Sequence, residues 1–155
     1  MVTELDGKIP VTYHTYLYPE KILCLGTAVE LYQIFTQKPC LSNFIDNILN
    51  PYLYRWLFIE KFGKAPWEDR SHGLKGIIEA YSSILQIPLN LTMIVEFLNL
   101  LIRQETRSNS LCPCNSGKKV KCCHKKKLEK LLKTVPLFIL RNDLKLLWEI
   151  LNENH

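Results

Sequence analysis

No run of about 18 apolar residues exists in this chain, so a membrane-spanning helix is excluded. The greasiest stretch, residues 91–102, is broken by Glu96 and Asn99. The first ten residues carry Glu4 and Asp6 and lack the apolar core of a secretory leader, so the expected compartment is the cytoplasm. No internal repeat is visible. Acidic residues are scarce in one place: residues 103–133 hold ten Lys or Arg against only Glu105 and Glu129, a local charge of +8 in a chain of net +5. The remainder is therefore mildly acidic. What the chain does have is apolar material. Its 155 residues are 47% hydrophobic and 23% charged, enough to bury a core as one domain or one domain with a small module.

The only good strand material lies near the N-terminus. Val11, Tyr13, Tyr16 and Tyr18 favour β structure, Ile22 to Leu25 is a short apolar run, and Pro19 sits in a turn between them. After Gly26 the pattern is helical. Thr27 with Glu30 reads as a capping box for a helix to residue 37, and Pro39 ends it. Ser42 can cap a short helix to residue 49. Asn50-Pro51 reads as a cap and first-turn proline for a helix stopped by Gly63. Ser71 and Asn90 are expected caps of helices reaching residues 85 and 105. Residues 106–110 look like a linker, residues 125–133 a basic helix, and Asn142 the cap of a last amphipathic helix. Trp56, Leu57, Phe58 and Trp148 are expected in the core, and Trp67 is expected to pack in its loop.

Cys112, Cys114, Cys122 and Cys123 fall within twelve residues, and His124 follows. In a cytoplasmic chain, cysteines this dense point to a metal rather than to disulfides. Thiolates with an imidazole suit Zn2+ in a closed tetrahedral site. Gly117 can turn the intervening loop, and Lys118, Lys119, Lys121 and Lys125 offset the negative charge of a three-thiolate zinc site. The residues alone leave Cys122 open as the third thiolate. Residues 112–124 read C-P-C-N-S-G-K-K-V-K-C-C-H. They resemble the SEC-C motif, C-P-C-G-S-G-x-K-[YF]-K-x-C-[CH], of the bacterial secretion ATPase. That resemblance implies Cys112, Cys114, Cys123 and His124 as the ligands, Zn2+ as the cofactor, and a surface that binds other proteins, a chaperone and the ribosome among them. Asn115 and Val120 depart from the motif.

His14 and Cys24 stand ten residues apart across the strand material. A cysteine where a strand gives way to a helix can be activated as a nucleophile; cysteine is also a common small core residue. His-x-Tyr, a turn and Ile-Leu-Cys-Leu, with Trp56-Leu57 and Glu60, then Gly63, Trp67 and His72, resemble the bacterial ubiquitin-conjugating-enzyme-like proteins of antiphage defence operons. The resemblance spans residues 14–83. It implies that Cys24 would carry a ubiquitin-like protein as a thioester and that His14 would hold the loop. Tyr16 stands where the family has the Asn that supports the oxyanion, only thirteen residues precede His14, and the family's Trp after the cysteine has no counterpart.

The reading is an α+β chain, predominantly helical. Residues 1–105 form a conjugating-enzyme-like region with a short N-terminal β-hairpin followed by helices. Residues 111–155 form a zinc knuckle with C-terminal helices. The expected function is a zinc-binding protein working with a protein partner, with Cys24 as transferase nucleophile. The first alternative is a non-enzymatic zinc adapter for a protein or the ribosome. The second is a basic module binding nucleic acid through the lysines from Lys118 to Lys133, which no aromatic interrupts.

Overall fold

A computed structural model describes residues 2–10, 15–16 and 22–153. It is predominantly helical. The only strands among the described residues are β1 (Thr15–Tyr16) and β2 (Ile22–Leu23), which pair antiparallel with Thr15 opposite Leu23. Thr3 bridges to Ile22, and the Leu23 N–H donates to the Val2 carbonyl at 2.9 Å. The expected turn at Pro19 lies outside the described residues. The helices are α1 (Ala28–Phe35), α2 (Leu41–Phe44), α3 (Asn50–Phe62), α4 (Gly73–Leu85), α5 (Leu91–Ile102), α6 (Val120–Cys123), α7 (Lys125–Thr134) and α8 (Leu137–Glu153). They fall into two compact units, residues 1–26 with 38–69 and residues 27–37 with 70–155. These units cut across the division between residues 105 and 111 that composition suggests.

In the first unit, α2 runs into α3 through a π-helical stretch, Ile45–Leu49. Asn50 is therefore not a cap: its backbone is helical, and its N–H reaches back five residues to the Ile45 carbonyl. Pro51 explains the widening, because its ring crowds the preceding turn and it has no N–H to donate. The helix ends where expected, at Gly63 in the left-handed region (φ 67°). Of the core positions expected on α3, Trp56 and Phe58 are half-buried and Leu57 is exposed. No residue of α3 is fully buried, and Leu57 is 56% exposed. The helix is apolar on several sides at once, so no single face can be hidden. Its aromatics pack on one another instead. Tyr54 stacks on Trp67 at 5.8 Å, 10° from parallel, and Phe58 meets Phe62 at 4.4 Å.

The second unit holds one core. Val29, Tyr81, Leu85, Phe97, Leu101, Leu128, Leu131, Leu140 and Leu147 are all fully buried in it. Asn90 caps α5 as expected, accepting from the Met93 N–H at 2.9 Å. Thr27 meets Glu30 through side chains at 2.7 Å, and Arg70 grips the same carboxylate at 2.7 Å. Ser71 does not cap α4. Its N–H and hydroxyl both donate to Glu79, and the helix starts after His72. Gly76 lies directly under the Ser71 carbonyl, where any Cβ would collide.

The last helix starts five residues before Asn142, which lies in its interior. Val135 is extended, as a residue before proline prefers, and Pro136 then leads directly into the next helix. This earlier start fixes which face of α8 is hidden. Leu140, Asp143 and Leu147 point inward, and Trp148, expected in the core, is 48% exposed.

One ionisable pair is buried in this core. The Tyr81 hydroxyl donates to Asp143 Oδ2 at 2.8 Å, joining α4 to α8. Burial pushes the Asp143 carboxyl above its ordinary value, against the opposing effect of the Tyr81 hydrogen bond. Folded Asp143 thus holds its proton more tightly than the unfolded chain does. Stability is lost as pH rises from the ordinary carboxylate value through the folded one. Asp143→Asn keeps an acceptor for Tyr81 without the buried charge. In urea unfolding, its stability relative to wild type should rise with pH across that window and then level off. A difference independent of pH would contradict the assignment.

Candidate metal centre

The segment before α6 is a tight knuckle. Leu111 pairs antiparallel with Lys119, the Cys112 N–H donates to the Lys118 carbonyl at 2.8 Å, and the Asn115 N–H donates to the Cys112 carbonyl at 3.1 Å. Reversing the chain in so few residues needs left-handed backbone at Asn115 (φ 58°) and Gly117 (φ 72°). Asn and Gly are the residues that adopt it most readily. Val120 is fully buried and anchors the start of α6, whose single turn delivers Cys123 and His124.

The result is one cluster of donor atoms. Cys112, Cys114, Cys123 and His124 each offer one, and all four lie within 4.8 Å of one another. His124 Nδ1 is 3.2 Å from both Cys112 Sγ and Cys123 Sγ, and Cys114 Sγ is 3.5 Å from Cys123 Sγ. Thiolate and imidazole ligands around a tetrahedral Zn2+ stand roughly 3.5–3.8 Å apart, so sub-ångström shifts would close the site on an ion. Cys122 is exposed and outside the cluster.

The far side of the imidazole is also engaged. Nε2 faces the Leu85 carbonyl at 3.1 Å, at the end of α4, and the ring packs 4.8 Å from Phe97 of α5. A proton on Nε2 leaves Nδ1 free to ligate, the usual outer-shell arrangement of a metal-binding histidine. Lys127 Nζ donates to the same carbonyl at 2.6 Å and to Gln86 Oε1 at 2.8 Å. Gln86 is left-handed at the end of α4, where a carbonyl lacks its helical partner.

The electrostatics match. Burial, aided by the Lys127 charge, lowers the His124 pKa against the pull of the Leu85 carbonyl, which keeps the imidazole neutral as a ligand must be. Burial also opposes ionisation at both Cys112 and Cys114. At Cys112 it prevails, and the thiol is pushed up to about 12. At Cys114 it is outweighed by hydrogen bonds to Ser116 and to the neighbouring thiols, and the value falls to about 7. Of these two, Cys114 is the readier thiolate, and a cation is what would ionise Cys112.

The other expected site residues are placed differently. Cys24 is half-buried, one residue beyond β2, and belongs to no metal cluster among the described residues. His14, proposed to act with it, lies outside the described residues. Cys40 contacts the Ser42 hydroxyl at 3.2 Å. The supporting groups around His124 were not foreseen. Leu85 contributes a backbone atom from 39 residues away, which no side-chain pattern announces. Lys127, three residues along a helix from His124, carried the only local signal.

With Co2+ as a spectroscopic probe, the chain should bind one ion with tetrahedral thiolate absorption. Cys122→Ser should leave the spectrum unchanged, and Cys114→Ser or Cys123→Ser should weaken binding by at least about tenfold. A lost signal in Cys122→Ser alone would reassign the ligands. No protein-family model, curated protein or solved structure matches the chain, so its chemistry is read from this geometry.

Proposed function

We propose that this protein is a zinc-stapled adapter, in which the ion organises a docking module and performs no chemistry. The observation that supports this best is the two-sided engagement of His124, between two cysteine sulfurs and the carbonyl that ends α4. Four protein donors fill a tetrahedral ion and leave no position for a water or a substrate. The likeness of residues 112–124 to the SEC-C motif supports zinc and a protein-binding role. A chelator should then abolish cooperative unfolding of the α4, α5 and α7 core, and stoichiometric Zn2+ should restore it. An unchanged melt after complete metal removal would argue against a stapling role.

A second reading rests on Cys24, which is half-buried rather than sealed in the core. Its likeness to the conjugating-enzyme segment supports a cysteine that carries a ubiquitin-like protein as a thioester: Sγ would take the C-terminal acyl group from a thioester on another protein, releasing that protein's thiol, and an amine would then take the acyl group as an amide and release the Cys24 thiol. Intact mass of protein isolated from its natural host without reductant separates the readings. A protein-sized adduct on Cys24, released by hydroxylamine, supports the transferase. A bare Cys24 that alkylates only after unfolding leaves the adapter.

A further inference from the structure

The strongest feature outside the metal centre is a groove on the second unit. It encloses about 580 Å³ and is lined by Asn99 and Ile102 of α5 and by Arg141, Leu144, Lys145, Trp148 and Glu149 of α8. Its floor is apolar, from Ile102 and Leu144. Its lining includes the half-exposed Trp148, an amphipathic anchor of the kind enriched where proteins bind one another. Arg141, Lys145 and Trp148 recur at helical spacing along α8, a stripe roughly 10 Å long at 1.5 Å rise per residue. Arg141 and Lys145 are both exposed, and among the described residues neither makes an ion pair or a side-chain hydrogen bond. Glu149 is the single acid on the rim.

The geometry points to this groove as a docking site for an acidic peptide segment of a partner protein, with a Leu or aromatic side chain against Trp148 and carboxylates on Arg141 and Lys145. Charge complementarity selects this occupant. Two unpaired cations beside an apolar floor leave a basic or uncharged segment with nothing to neutralise, and a segment without an apolar anchor would leave Trp148 wet. The basic excess of residues 103–133 adds long-range attraction for the same class of partner. The groove shares no residue with the metal cluster. The inference therefore goes beyond the zinc reading, and either can fail without the other.

The test selects binders from a random displayed peptide library on the full zinc-loaded chain. The selected peptides are then titrated against wild type, Arg141→Glu/Lys145→Glu and Trp148→Ala, each checked for an unchanged thermal melt. The expected peptides are rich in Asp and Glu around one or two Leu or aromatic residues. They should bind both variants at least about tenfold more weakly. Peptides without acidic bias, binding indifferent to the charge reversal, or no selected binder at all would overturn the proposal. So would self-association in sedimentation that Trp148→Ala abolishes, since a second copy would then be the occupant. The charge-reversed variant keeps the test decisive if Trp148→Ala unfolds.

Discussion

The second unit depends on one imidazole. His124 closes the donor cluster on one side and ends α4 on the other, and its ring lies on Phe97 in the middle of the core. Remove the ring and three things separate: the knuckle, the end of α4, and the packing of α5. A hydrogen bond of this kind contributes only about 1 kcal/mol by itself. Its importance lies in position, because the same residue is the junction between α6 and α7 and therefore sets where the basic helix begins.

The lysines gain distinct roles from that placement. Lys127 is turned inward and occupied, donating to the Leu85 carbonyl and to Gln86. Lys126, Lys130 and Lys133 remain exposed at helical spacing, with Lys118, Lys119 and Lys121 exposed on the knuckle and α6. A segment that composition shows only as a charge excess is thus divided into one cation that supports the site and several that face solvent. Of the exposed set, Lys118, Lys119 and Lys121 fall in sequence between Cys114 and Cys123, beside a cluster that would carry net negative charge when three thiolates hold a divalent ion, which would ease ligand ionisation.

Much of this was legible in the residues. A cysteine–histidine cluster able to hold a metal was legible because its donors lie on one short turn, where sequence distance is close to spatial distance; spacing alone did not separate Cys123 from Cys122, and the SEC-C likeness did. Asn90 as a cap and Gly63 as a stop were legible for the same reason: both act within four residues. The misplaced features all depend on something farther away. Ser71 is drawn to Glu79 rather than to the start of α4, Asn142 is bypassed because Pro136 already starts the helix, and Asn50 loses its cap geometry to the π turn upstream of Pro51. Trp148 misled because its apolar character says nothing about which side of α8 meets α5. The Tyr81–Asp143 pair, 62 residues apart, has no local trace at all.

The compactness of the knuckle has a kinetic side. All four donors fall within thirteen consecutive residues, so gathering them closes only a short loop, whereas joining α5 to α8 brings together segments about forty residues apart. Loop-closure entropy rises with the length enclosed, and non-local contacts are the slow ones. An ion captured early would present His124 and Val120 already in place, a small ordered surface on which α4 and α5 can condense. In that order of events a bound ion would act as a seed for the core, and the supply of the ion would set the pace at which new chains reach the folded state.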